Sequence, residues 1–288
     1  MDEELHHPFE RTIIPMTSIT SGTGYEVLPD LYALSLQIVN ICFIGHEHAS
    51  EFVLIDTGMP RSADAILDTV RERFGSRARP KAILLTHGHF DHVGAIRDLL
   101  EVWDVPVYAH ELEIPYVTGK EKYPDPDPTV EGGLLAKISP LYPTEPVRLG
   151  SRVQPLPENG TVPFLDNWRW IHTPGHSRGH VSFFRDADRA LIAGDAFITV
   201  KQDEFWKVLT QKQEVSGPPR YLTTDWQAAN DSVRKLAALD PATAVCGHGI
   251  PMAGADLHHG LQELAGNFNK VAVPDYGKYV DPEQDRSH

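Results

Sequence analysis

Residues 81–100 read KAILLTHGHFDHVGAIRDLL. The run KAILLT has the length and apolar content of a buried strand, and the pattern VGAIRDLLEVW that begins at Val93 has helical spacing. Between them lies HGHFDH, which offers His87, His89, Asp91 and His92 as potential metal ligands within six residues. In a loop these side chains can splay toward two neighbouring points, which a regular helix or strand would not permit for all four. Gly88 is read as the residue that lets the backbone turn between ligands. Taken alone, Asp91 could instead be a helix N-cap ahead of Val93.

Outward from this stretch, three more apolar strands run straight into a carboxylate or an imidazole: FVLID into Asp56, ALIAGD into Asp195 and TAVCGH into His248. Sites in α/β sheets are built on the loops beyond strand ends, where a rigid scaffold fixes the polar groups, so the four ends are predicted to share one edge. His176, in Thr173-Pro174-Gly175-His176, is a further candidate beside a glycine. Five imidazoles and two carboxylates are enough for two metal sites of three protein ligands each, provided one carboxylate bridges. Fifteen histidines against two cysteines point to nitrogen and oxygen ligation. Cys42 and Cys246 sit in apolar runs and are read as buried thiols.

Residues 25–56 alternate short β-rich runs with turns, predicting an opening antiparallel meander. Ser62 is placed as the cap of a helix whose apolar positions are Ala65, Ile66, Val70 and Phe74, and Gly75 as its stop. The cluster Arg71, Arg73, Arg77, Arg79 and Lys81 is read as a solvated face. Residues 106–157 carry ten prolines and predict an extended excursion with one short helix, either covering something or linking over the surface. An insertion at 201–226 supplies Phe205, Trp206, Tyr221 and Trp226, which either wall a pocket for an apolar group or pack into the core. The chain is divided into an N-terminal extension (1–24), one domain (25–270) and a C-terminal tail (271–288).

The 288 residues are 41% hydrophobic and 23% charged, the balance of a soluble globular protein and not of a disordered or fibrous one. Their formal charge of −14 repels phosphate backbones and anionic lipid, so the expected partner is a small-molecule substrate, with no nucleic acid and no membrane. The acidic start has no apolar signal region and LYALSLQIVNICFIG is too short to span a bilayer, which predicts a cytoplasmic protein. No residue pattern specifies an oligomeric state.

The H-x-H-x-D-H of residues 87–92, followed by His176, Asp195 and His248 at successive spacings of 84, 19 and 53 residues from His92, resembles the metallo-β-lactamase-fold hydrolase superfamily over most of the chain. The resemblance implies an αββα four-layer sandwich. It also implies His87, His89 and His176 on a first metal, Asp91, His92 and His248 on a second, and Asp195 bridging. Asp56, in LIDTG, matches a position that orients the metal loop without ligating. His180 is read either as support for a ligand or as a buried strand residue, His110 is left unassigned, and His46, His48, His172, His258 and His259 are left with solvated or packing roles.

The implied cofactor is two divalent metal ions, zinc by its donor preference, with iron, manganese and cobalt suited to the same donors. Two such ions sharing a water lower its pKa and supply hydroxide, with Asp91 expected to orient the nucleophile and move its proton. True β-lactamases of the superfamily generally lack the bridging aspartate. Acyl-homoserine lactonases share TPGHSRGH and Gly-Asp-Ala but carry a tyrosine where this chain has Ile198. The expectation is a binuclear hydrolase of a small ester-like substrate, lactones first. Thioesters and phosphoesters are the alternatives on the same site, and an iron-dependent oxidoreductase is the alternative from another class.

Overall fold

Apolar residues on successive strand positions decide how the layers stack. In the computed structural model, which describes residues 18, 20–131, 133–200 and 213–281, the chain opens with β1 (Gly24–Leu28), β2 (Leu31–Leu36), β3 (Val39–Ile44) and β4 (Glu51–Ile55), paired as the antiparallel meander. Strands β5 (Arg79–Leu84), β6 (Val107–Ala109) and β7 (Val153–Pro155) then join in parallel, completing a seven-stranded sheet in chain order. A second sheet has six strands, β8 (Thr161–Val162), β9 (Leu165–His172), β10 (Val181–Arg185), β11 (Ala190–Gly194), β14 (Thr243–Cys246) and β15 (Met252–Ala253), ordered 15-14-11-10-9-8. A small pair, β12 (Ile198–Val200) and β13 (Gln213–Ser216), stands apart. Phe205 and Trp206 of the aromatic insertion lie outside the described residues.

Alternation sends each strand's side chains to two cores. In β4, Val53 and Ile55 face the second sheet while Phe52 and Leu54 face the outer helices; in β11, Ala190 and Ile192 face the first sheet while Leu191 and Ala193 face outward. The helices α1 (Ala63–Arg73), α2 (Phe90–Val93) and α3 (Ile96–Val102) cover the outside of the first sheet. Helices α6 (Trp226–Ala237) and α7 (Gly254–Val271) cover the second. The result is the αββα sandwich. Among the described residues no helix is long and apolar enough to cross a membrane.

Several local expectations change. Segment 106–157 contributes two sheet strands and two short helices, α4 (Ile114–Thr118) and α5 (Gly133–Ile138), not one. Ser62 does occupy the N-cap of α1, but its side chain makes no capping hydrogen bond. Arg73 is buried, not solvated: its guanidinium pairs with Glu26 and lies 4.6 Å from the centre of the Tyr32 ring. Trp226 opens α6 inside the core, its ring 6.5 Å from that of Phe268, which is the packing role that the sequence offered for it.

Candidate metal centre

The strand ends converge because each sheet contributes one adjacent parallel pair. In the first, β4 and β5 run side by side into Asp56 and His87; in the second, β11 and β14 run side by side into Asp195 and His248. His176 follows β9 in the turn before β10. The HGHFDH segment is half extended and half helical: His89 has a β conformation as the N-cap of α2, and Asp91 and His92 lie on that single helical turn. Asp91 is thus inside the helix and not its cap.

All seven predicted donors are brought together, and none is more than 6% exposed. Three groups have ligand atoms within 4.8 Å of one another: His87 with His89 and His176, Asp91 with His92 and His248, and His87 with His92 and Asp195. Asp195 stands between the first two. Its Oδ2 lies 3.4 Å from His176 Nε2 and 3.2 Å from His248 Nε2, and its Oδ1 lies 3.5 Å from His92 Nε2. Asp91 Oδ2 is 3.4 Å from His248 Nε2.

Proton bookkeeping on the far side of the rings shows which nitrogen each imidazole offers. His248 Nδ1 donates to the Ile38 carbonyl (2.8 Å), and His92 Nδ1 donates to Asp56 Oδ2 (2.8 Å). Thr86 Oγ1 gives its own proton to Asp56 Oδ2 (2.7 Å), so it accepts from His87 Nδ1 (3.1 Å). Thr223 Oγ1 gives its proton to the Pro219 carbonyl (2.8 Å) and accepts from His176 Nδ1 (3.2 Å) by the same logic. Each of these four rings therefore presents an Nε2 lone pair to the centre, whereas His89 faces it with Nδ1, 2.9 Å from His176 Nε2. Burial, reinforced by neighbouring imidazoles, holds His87 and His176 well below the ordinary histidine range and lowers His89 to about 3, keeping these rings neutral. Burial also opposes a charge on His92, but the carboxylates of Asp195, Asp56 and Asp91 outweigh it and raise its pKa.

The fit to cations is carried by orphaned atoms. Buried His87 Nε2, His92 Nε2, Asp91 Oδ1 and Asp195 Oδ1 have no hydrogen-bond partner, and all belong to the converging groups. Leaving such atoms unsatisfied is costly unless something binds them, and lone pairs aimed at common points are what a divalent ion satisfies.

Supporting residues divide into foreseen and unforeseen. Asp56 reaches the metal loop, accepting from the Thr86 amide (2.8 Å) as well as from Thr86 Oγ1 and His92. His180 Nε2 accepts the Asp195 amide (2.8 Å), with its Nδ1 2.9 Å from Thr173 Oγ1. His110 stacks on His172 at 4.3 Å, and His258 pairs with Asp240, so these three rings lie outside the cluster. Four contributors were not expected. Thr86 could have been flagged by its place before His87; Thr223, Glu113 and Tyr123 carry no motif. A fifth, Asn40, laces the start of β3 to the His248 loop, its side-chain amide donating to the carbonyls of Cys246 (2.9 Å) and Gly249 (2.6 Å).

Five imidazoles and two carboxylates gathered at the strand ends of an αββα sandwich define a metal-dependent hydrolase. Residues 35–248 match the metallo-beta-lactamase superfamily, and the chain belongs to it. It is 52% identical over 259 residues to the probable metallo-hydrolase YflN of Bacillus subtilis (strain 168), covering 90% of this chain and 98% of that one. Among solved structures it is similar to TTHA1623 in a di-iron-bound form, with 31% identity, a TM-score of 0.51, and coverage of 75% of this chain and 89% of that one. A beta-lactamase domain protein from Burkholderia ambifaria, 21% identical with a TM-score of 0.59 over 93% of this chain and 81% of that one, shares the fold.

Proposed function

We propose that the chain is a binuclear hydrolase of small, neutral, ester-like substrates, with lactones as the leading class. The observation that carries this reading is Asp195, whose two oxygens face His92 on one side and His176 and His248 on the other. In that arrangement His87, His89 and His176 would hold one ion, Asp91, His92 and His248 the other, and Asp195 both. When bound, a pair of divalent ions lowers the pKa of a shared water and polarises a substrate carbonyl. Asp91 keeps one carboxylate oxygen without a hydrogen-bond partner, and it can hold the nucleophile's proton and pass it to the leaving oxygen. Burial raises its pKa, which suits a carboxylate that must take up a proton.

A neutral substrate agrees with the uncharged phenols that lie close enough to Asp91 to feel its charge. The nearby Tyr142 and Tyr221 rings lie 5.5 Å apart, and burial keeps both phenols protonated. Zinc is the proposed occupant on donor type. Iron is the second candidate, because the 31% identical relative is described in a di-iron-bound form. The test is hydrolysis of an aliphatic lactone and a matched linear ester by the metal-loaded protein, with Asp195→Ala as the blank. Lactone turnover that vanishes in the blank is the expected result; no turnover above the blank removes lactones and moves thioesters, phosphoesters and iron-dependent chemistry forward.

A further inference from the structure

Segment 106–157 places one acidic side chain where two ligand-bearing loops meet. Glu113, the residue before α4, has no exposed surface. Its Oε1 accepts from Ser177 Oγ (2.7 Å) and the Gly179 amide (2.9 Å), in the loop that carries His176. Its Oε2 accepts from the Gly88 amide (3.0 Å), between His87 and His89, and from the Tyr123 hydroxyl. Tyr123 also accepts from the Gly88 amide (2.9 Å), and its ring lies 4.5 Å from that of His89.

Both glycines are explained by this contact. A Cβ at Gly88 would lie 2.5 Å from Val117 Cγ1 and 2.8 Å from the Tyr123 hydroxyl; one at Gly179 would lie 2.7 Å from the Glu113 amide nitrogen and 2.8 Å from Glu113 Cγ. Gly88 is therefore required by close approach, not by the backbone turn read from the sequence. Each carboxylate oxygen faces an amide N–H that can only donate, and two hydroxyls complete the set. This is a closed clamp whose ends hold the loops of His87, His89 and His176 together.

We infer that Glu113 is a positioning residue for the three-imidazole metal position. It sets the spacing of His87 and His89 against His176 through the four hydrogen bonds that its two oxygens accept. The inference rests on the two-metal reading above. A glutamine cannot replace it, since its NH2 would face donors on one side of the clamp.

The experiment is zinc titration of the apoprotein against a chromophoric chelator, comparing wild type, Glu113→Gln, Tyr123→Phe and His176→Ala, with the apo melting temperature recorded for each. Wild type is expected to take up two ions in two resolvable steps, one of which disappears in His176→Ala. Glu113→Gln should weaken that same step by about 10–100-fold and leave the other nearly unchanged. Tyr123→Phe, which retains the carboxylate and three of its donors, should weaken it less; it also provides the comparison if Glu113→Gln fails to fold. Wild-type affinity in both steps, or equal weakening of both steps in parallel with the apo melting temperature, would overturn the assignment. Uptake of fewer than two ions by wild type would instead overturn the two-metal reading, and this inference with it.

Discussion

The two candidate metal positions share Asp195 but are braced by different parts of the molecule. Behind Asp91, His92 and His248 stand Asp56 at the end of β4 and the Ile38 carbonyl in the turn between β2 and β3, both on the sheet that carries the core. Behind His87, His89 and His176 stand Thr86, Thr223 and the Glu113 clamp, the last two supplied by connecting segments outside the sheets. One position is built into the sandwich, and the other is closed by its periphery. A backing contact should accordingly affect one position more than the other, while a shared ligand should affect both.

Asp195→Ala should have the largest effect, removing the carboxylate common to both positions. Activity is expected to fall by at least ~10³-fold, with bound metal dropping below two ions per chain by elemental analysis. Two tightly held ions in this variant would break the bridging geometry. Asp56→Asn should lower affinity at the sheet-braced position by roughly 10–100-fold, with a smaller effect on the other through Thr86, as chelator competition would show. Equal loss at both would mean that the braces are not separate. Thr223→Val, which removes the acceptor for His176 Nδ1 together with the hydroxyl's bond to the Pro219 carbonyl, is expected to cost about tenfold at the three-imidazole position alone.

The smallest effect is one of pH. His110, whose carbonyl accepts the Glu113 amide (2.8 Å), is lowered to about 4 by burial and by the stacked His172. The folded chain binds this proton less readily than the unfolded chain, whose histidines titrate near 6.5. Its contribution to stability is thus complete above pH 6.5 and is lost as pH falls through about 4, loosening the peripheral brace first. An NMR titration that placed His110 at an ordinary histidine value would show that the stack does not hold.

Sequence reading reached the sheet-braced half of the site more fully than the other. The strand-to-ligand units at Asp56, His87, Asp195 and His248 are legible because buried parallel strands leave continuous apolar runs, and a polar residue at the end of such a run stands out. The layers follow from the same runs. Glu113 and Tyr123 were invisible because a proline-rich segment has no periodicity to say which face is inward. Arg73 was misplaced for a related reason: its partner Glu26 is 47 residues away, and charge clustering alone cannot reveal a guanidinium folded over an aromatic ring. The helical turn at Asp91 and His92 is four residues long, too short to be separated from a loop by pattern.

The lacing of Asn40 and Ile38 to the His248 loop joins residues 206 to 210 positions apart. On the ribosome the hairpin of β2 and β3 emerges long before its counterpart, and it waits through the synthesis of the intervening chain with those carbonyl and amide partners unmade. Contacts of such separation form late in folding. The sheet-braced position, whose contacts close the longer stretch of chain, is therefore the later of the two to be assembled.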